Sequence, residues 1–235
     1  MRLLVAVIVV LVGGLFAITE ASASPPASRV LRDARRFVHH AQTVTYDATS
    51  AVSVPTGADT LVRHRQVRGA TRFPRSTEME ITERSGVHEY RSVTGTAGIW
   101  VRAGTPSWVH ATDYTAFNAA IAPGAAAAAG ALADRLVDAS ILPALLDGAH
   151  WASRHGSAIR HVDVTFDPVV ALGSDGAEVS SLAGEIITDA HDHPTSLIAH
   201  LHAADAVVDV TYTLRWGAPV VVVPPSATDV VASVG

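Results

Sequence analysis

The first half of the chain alternates apolar and polar residues over a series of short runs. One run begins at Val44, Tyr46 and Ala48 and continues with period two until Pro55-Thr56-Gly57 ends it. This period predicts a β-strand. Five further strands are predicted at residues 60–68, 76–84, 87–93, 97–102 and 106–111, separated by turns that contain glycine. Links this short join antiparallel neighbours, since a parallel crossover needs a dozen or more residues.

Two segments show the helical period instead. Ser28 is placed to cap a helix to about Gln42, whose apolar stripe begins at Val30 and whose arginines lie mostly off the stripe. A second stripe, from Leu132 to Leu145, predicts a helix that bends or ends near Pro143. The sequence therefore predicts one helix before the strands and another after them.

The segment between these stripes is rich in alanine. Thr112 or Asp113 can cap a short helix through Ile121. The run from Ala119 to Ala133 is of low complexity, and its proline and glycines predict a loop.

Period two returns in the last third of the chain. Strands are predicted at residues 158–166, 182–188, 195–202 and 206–216, with an irregular stretch before residue 182. The last strand has one apolar face, formed by Val208, Val210, Tyr212, Leu214 and Trp216. A helix, a strand meander, a helical interlude and further strands predict an α+β fold. A large antiparallel sheet curls, and so few helices over its apolar face leave room for an apolar cavity.

The N-terminus has the pattern of a signal peptide. Arg2 precedes the apolar run Leu3–Ile18, and Ala21-Ser22-Ala23 fits a cleavage site. A retained membrane anchor is the alternative, but Gly13-Gly14 interrupts a run that is shorter than the ~20 residues needed to span a bilayer. We expect residues 1–23 to direct secretion and residues 24–235 to form one soluble extracytoplasmic domain.

Composition excludes several classes of function. The formal charge of −5 gives no footprint for nucleic acid. With no cysteine there is neither disulfide nor thiol chemistry, and there is no lipobox cysteine for a lipid anchor. The motifs of serine hydrolases, zinc proteases and nucleotide-binding loops are missing, so we predict no catalytic residues and no cofactor.

Three groups of polar residues leave alternatives open. The pairs His191/His193 and His200/His202 could form a zinc or copper site, but the second pair lies on the expected solvent face of its strand. Glu78 and Glu80 could serve a glycosidase, and are more simply surface residues. Arg63 and Arg65 share one side of a strand; they could contact an anionic headgroup, although charged strand residues usually face water.

The C-terminal stretch TYTLRWGAPVVVVPP (Thr211–Pro225) resembles the end of the actinobacterial LppX/LprG lipoproteins and the LolA-type lipoprotein-sorting carriers. The order of elements and the turn Asp189–Pro194 are similar too. The resemblance implies a curved antiparallel half-barrel whose helices cover the concave face and enclose a pocket for acyl chains. Residues Val220–Val223 could return as a short edge strand before Pro224-Pro225.

By this resemblance the protein is a secreted, non-enzymatic carrier of a lipid or of the acyl chains of a lipoprotein, with transient contact to a membrane or membrane protein. An envelope sensor or protein-interaction domain of the same fold is the alternative, and a metal-binding enzyme is the third. The residues predicted to line the lipid cavity are Val44, Tyr46, Ala48, Trp108, Phe117, Leu136, Ile141, Val162, Val164, Val208, Val210, Tyr212 and Leu214.

Overall fold

The protein is described from a computed structural model. The described residues are 26–56, 58–74, 76–83, 89–95, 98–103, 107–113, 116, 125–155, 160–203 and 206–234. The predicted signal peptide, residues 1–23, lies outside them.

The twelve described strands form one curved sheet. They are β1 (Thr43–Thr56), β2 (Asp59–Arg72), β3 (Ser76–Glu83), β4 (Glu89–Gly95), β5 (Gly98–Ala103), β6 (Trp108–Ala111), β7 (Ala149–His155), β8 (Arg160–Phe166), β9 (Val179–Thr188), β10 (Pro194–Ala203), β11 (Ala206–Trp216) and β12 (Val230–Val234). Their order across the sheet is β12-β6-β5-β4-β3-β2-β1-β11-β10-β9-β8-β7. Every neighbouring pair is antiparallel except β12 with β6. The end strands β12 and β7 do not pair with each other, so the sheet is an open half-barrel and the α+β prediction is confirmed.

Helices cover one face of this sheet. They are α1 (Ala27–His40), α2 (Ala125–Val137), α3 (Leu142–Asp147) and α4 (Pro168–Leu172), and a 3-10 turn at Ala139–Ile141 joins α2 to α3. Helix α2 lies on β1 and β11 at the middle of the sheet, while α1 packs against α3 and β7. No helix in the described part of the chain is long and apolar enough to cross a membrane.

Side chains of neighbouring strands form rows on the covered face, because paired positions in a ladder point to the same side. One row crosses seven strands, and each residue is the cross-strand partner of the next: Val162, Ile186, Leu197, Tyr212, Ala48, Val67 and Ile81. All seven are at most 4% exposed. The sheet therefore presents a continuous apolar surface to the helices.

A glycine makes room for an aromatic ring within this surface. Gly69 of β2 is paired with Tyr46 of β1. A Cβ atom at Gly69 would lie 2.2 Å from Tyr46 Cζ, so the ring occupies the space above the glycine. Tyr46 can therefore lie flat across the neighbouring strand and remain only 2% exposed.

Three helical predictions are wrong. The alanine-rich run predicted as a loop is helical from Ala125 onward, because alanine is the best helix former and the proline of the run lies before this point. Helix α2 ends at Val137, where Asp138 turns to extended backbone, whereas Pro143 lies in the first turn of α3. Helix α1 begins at Ala27 with Pro26 as its N-cap residue, so Ser28 does not cap it.

The sheet is also larger than predicted at its two edges. Strand β7 lacks an apolar alternation, and for this reason its sequence gave no strand signal. Residues 220–223 form no strand, and Val221 and Val223 are 75% and 67% exposed. The chain instead continues to β12, which pairs in parallel with β6.

Candidate functional site

The helix-covered face holds most of the predicted cavity lining. Eleven of the thirteen residues lie on this face or on the helices that cover it, and each is at most 5% exposed: Val44, Tyr46, Ala48, Leu136, Ile141, Val162, Val164, Val208, Val210, Tyr212 and Leu214. Ten of them belong to one packed cluster, and Val162 is buried beside it. Side chains that lined a wide open cavity would remain exposed, so these eleven form a closed, packed interior.

The other two predicted lining residues are not part of this interior. Trp108 lies on the opposite face of the sheet, because its neighbour Val109 pairs with buried Val101. There it is half-buried under the guanidinium of Arg102, which lies 4.9 Å from the ring centroid. The prediction for Trp108 is therefore corrected. Phe117 lies outside the described residues.

Tyr212 connects the sheet to helix α2. Its hydroxyl donates a hydrogen bond to the backbone carbonyl of Leu136, in the last turn of the helix. That carbonyl would otherwise lack a partner, since the last carbonyls of a helix have none within it. Burial raises the pKa of the Tyr212 phenol well above its ordinary value, and the Asp138 carboxylate nearby raises it further.

Asp138 holds the end of α2 at the sheet. It is fully buried, and its Oδ1 accepts a hydrogen bond from Thr77 Oγ1 of β3 at 2.8 Å. The same atom accepts the backbone N–H of Ser140 at 2.9 Å, which caps the 3-10 turn. Thr77 Oγ1 also lies 3.0 Å from Thr71 Oγ1 of β2. The Asp138 carboxylate thus holds the C-terminal end of α2 against β3 and, through Thr77, against β2.

An ion pair joins α2 to β2 inside the packed interior. Arg65 Nη1 donates to Asp134 Oδ1, and both side chains are 4% exposed. The expectation that charged strand residues face water is wrong for Arg65. The signal that could have placed it is its spacing of two from Val67, because both residues then share the covered face. Asp134, at its helix position among Ala131, Ala133 and Leu136, was missed by the sequence reasoning.

A small cavity adjoins this ion pair. It is lined by Val52, Val54, Leu61, Arg63, Arg65 and Gly130, and its volume is about 10 Å³. This is close to the space that one water molecule needs.

Helix α1 is fastened separately from α2. The Arg35 guanidinium donates to the carbonyls of Leu146 and Ala149, at distances of 2.7 to 3.0 Å. His39 Nε2 lies 2.9 Å from Asp147 Oδ1. These contacts join α1 to α3 and to the start of β7, so they do not depend on the position of α2.

The histidines of the two pairs contact an aromatic ring and aspartate side chains. His193 stacks on Phe37 with ring centroids 3.9 Å apart, and the backbone N–H groups of His191 and His193 donate to Asp189 Oδ1. His200 lies exposed, with its Nδ1 2.6 Å from Asp209 Oδ1. Among the described residues, no group of three histidine or acidic side chains is arranged to hold a metal ion.

The turn that carries these histidines perturbs one carboxyl group. Partial burial pushes the pKa of Asp189 upward. The hydrogen bonds from the backbone N–H groups of His193 and His191, and the charges of the two histidines, more than offset this and lower the pKa of Asp189 below its ordinary value of 3.8.

The fold and this interior define a class of protein: an open, curved antiparallel sheet whose apolar face is covered by helices. Solved structures of similar fold include LprF from Mycobacterium bovis, with a TM-score of 0.47 and 15% identity over 87% of this chain and 100% of that one. The lipoprotein LppX from Mycobacterium tuberculosis has a TM-score of 0.42 and 12% identity over 83% of this chain and 98% of its own. A LolA superfamily protein from Nitrosomonas europaea has a TM-score of 0.34 and 8% identity over 82% of this chain and 94% of its own.

LppX and the LolA superfamily are the groups that the C-terminal stretch of the sequence resembles, and the similarity is one of fold. The actinobacterial origin stays a prediction. No protein-family model matches the chain, and no significant match is found among curated proteins.

Proposed function

We propose that this protein is a non-enzymatic carrier that binds a lipid, or the acyl chains of a lipoprotein, between the covered face of the sheet and helix α2. The observation that supports the proposal is a continuous apolar surface across at least seven strands, covered at its centre by one alanine-rich helix. An acyl chain can take the place of this helix on the apolar surface while the sheet stays intact.

The composition of α2 favours this exchange. Its sequence is AAAAAGALADRLV, in which seven of the thirteen residues are alanines, whose methyl side chains have little apolar area. Burial is worth about 0.8 kcal/mol per methylene, and a chain of about ten methylenes therefore gains roughly 8 kcal/mol on entering the interior. The acyl chain can replace the contacts that the helix loses.

Polar contacts join the C-terminal half of α2 to the sheet. They include the hydrogen bond of Tyr212 to Leu136, the ion pair of Asp134 with Arg65 and the contacts of Asp138 just beyond the helix. In the proposed carrier, α2 moves away from the sheet when the ligand enters, and the contacts at its C-terminal half are broken.

The site of action follows from the sequence. Residues 1–23 have the pattern of a signal peptide, so the proposed carrier works outside the cytoplasm after cleavage near Ala23. Its cargo enters and leaves through transient contact with a membrane or a membrane protein. No catalytic group, cofactor or metal is part of the proposed function.

Native mass spectrometry of the purified mature protein tests the proposal directly. We expect a second species heavier by the mass of a retained lipid. After removal of lipid, a fluorescent fatty-acid probe should bind at one site per chain. A lipid-free protein that binds no such probe, and that captures a membrane protein in a pull-down, would instead support the sensor or interaction domain.

The movement of α2 can be measured with a single thiol, since the chain contains no cysteine. Ala133 of α2 and Ala34 of α1 are both fully buried. We expect the thiol of Ala133→Cys to react with a maleimide much faster than that of the matched control Ala34→Cys, because α2 opens locally. Equal rates, limited by global unfolding, would contradict a mobile α2.

A further inference from the structure

We infer that the ligand is an amphiphile with one anionic head, whose carboxylate or phosphate takes the position that Asp134 occupies at Arg65. This inference rests on the proposed function and names its ligand class. The juxtaposition that carries it is a buried guanidinium on the fixed sheet paired with a carboxylate on the movable helix.

Arg65 belongs to the sheet and stays in place when α2 moves. It lies in the middle of β2, where it pairs with Ser50 of β1, and Ser50 in turn pairs with Val210 of β11. Arg65 is 5% exposed and its surroundings are largely aliphatic. A guanidinium keeps its proton under all conditions in which proteins fold, so this positive charge cannot be removed by titration.

Asp134 belongs to α2 and leaves with it. When the helix lifts, the carboxylate that Arg65 binds in the closed state is withdrawn from the interior. A buried charge that loses a partner is strongly destabilised. A ligand with an anionic head restores a carboxylate-like partner at the same place, whereas a neutral lipid of equal chain length does not.

Two further polar side chains, Ser50 and Arg63, lie near Arg65 on the face that would bind the anionic head. The Ser50 hydroxyl is buried and has no hydrogen-bond partner within the described structure, so it can donate to a second oxygen of the head. Arg63 lies on the same face two residues before Arg65 and lines the same small cavity. Arg63 and Arg65 thus line one cavity, and Ser50 is the cross-strand partner of Arg65 on the same face of the sheet.

Apolar side chains adjoin the pair, at the place where the chain of the ligand would begin once α2 has moved. Val52, Val54 and Leu61 line it together with the two arginines. Leu61 is 41% exposed near the tip of the β1–β2 hairpin, so the cavity leads from the buried charge toward the surface. Head and chain thus have adjacent places in one interior.

The experiment compares four probes on the delipidated protein: dodecanoate, dodecyl phosphate, dodecan-1-ol and inorganic phosphate. Binding is measured by displacement of a neutral fluorescent apolar dye. We expect at least one of the two anionic amphiphiles to bind tenfold or more tightly than dodecan-1-ol, and inorganic phosphate not to displace the dye. The comparison between the two amphiphiles identifies whether a carboxylate or a phosphate head is preferred.

The variant to compare is Arg65→Met/Asp134→Leu, which replaces the pair with apolar side chains and removes both buried charges together. We expect it to bind dodecan-1-ol at least as tightly as before and to lose the preference for an anionic head. The matched control is Arg68→Met, on the same strand but with a side chain that is 84% exposed, and it should keep the preference.

The outcomes separate the two proposals. If dodecan-1-ol binds the unaltered protein as tightly as both anionic probes, the inference about the head is overturned and the carrier function is supported. If inorganic phosphate alone binds at Arg65, the ligand is not an amphiphile and the inference is overturned. If none of the chain-bearing probes binds, the carrier function fails and the inference fails with it.

Discussion

Tyr212 of β11 donates its hydroxyl to the carbonyl of Leu136 in α2, across 76 positions of sequence. The bond fastens the end of the covering helix to the centre of the sheet. We expect Tyr212→Phe to lower the free energy of unfolding by about 1–2 kcal/mol, because a buried carbonyl loses its donor. Urea denaturation measures the change. Thr213→Ala, an exposed change on the same strand, is the control and should have little effect.

The same variant should change the response to alkaline pH. Because the pKa of Tyr212 is raised in the folded protein, its contribution to stability is fully present below the ordinary value of 10.0. It is lost as the pH rises above that value toward the folded pKa. Above pH 10 the unaltered protein should therefore lose stability relative to Tyr212→Phe. A stability difference between the two proteins that does not change with pH across this range would contradict the raised pKa of Tyr212.

The paired residues Gly69 and Tyr46 give a steric test. A methyl group at Gly69 would clash with the Tyr46 ring at 2.2 Å, so Gly69→Ala should cost about 1–3 kcal/mol. In a Tyr46→Leu background the same change should cost clearly less, since the ring is gone. Equal costs in the two backgrounds, measured by chemical denaturation, would mean that backbone effects rather than the ring explain the glycine.

The ion pair of Arg65 and Asp134 should be important for stability as a unit. Arg65→Met leaves a buried carboxylate without its guanidinium, and we expect a loss of about 3–5 kcal/mol. Arg65→Met/Asp134→Leu should lose less than either single variant, because both charges of the ion pair are removed together. Thermal unfolding of the four proteins completes the cycle, and additive losses would show that the two charges act independently.

Asp189 should make the protein sensitive to acid. Its pKa is lowered in the folded state, so its contribution to stability is present above the ordinary value of 3.8 and is lost as the pH falls through the folded value. The stability difference between the unaltered protein and Asp189→Asn should shrink as the pH falls below 3.8. A stability difference that does not vary with pH would contradict this prediction. It would mean that Asp189 acts only through hydrogen bonds that the asparagine side chain of the variant also accepts.

Much of the fold could be predicted because its signals are local. Period two in Val44, Tyr46 and Ala48, or in Val208, Val210 and Tyr212, depends only on adjacent residues, and the strands occur where it predicts them. The buried faces of β1 and β11 followed from the same alternation. The C-terminal stretch Thr211–Pro225 added the resemblance to LppX-like and LolA-type proteins.

The errors occur where local signals are weak or compete. Alanine-rich residues 125–133 contain glycine and lack an apolar stripe, and their helix is stabilised by packing on β1 and β11. Strand β7 has no alternation and is an edge strand that forms by pairing with β8. The parallel pairing of β12 with β6 joins segments more than 110 residues apart, beyond any local pattern.

The sequence alone determined that this protein has a large antiparallel sheet with one apolar face, covered by few helices. The reason is that the strand period and the helical period both depend only on residues close together in the chain. Only the tertiary structure decided that α2 closes the interior, that Trp108 lies on the opposite face, and that Arg65 meets Asp134 beneath the helix. These facts depend on strand register and on contacts between distant segments, and burial of a charge becomes favourable only when the folded chain brings its partner to it.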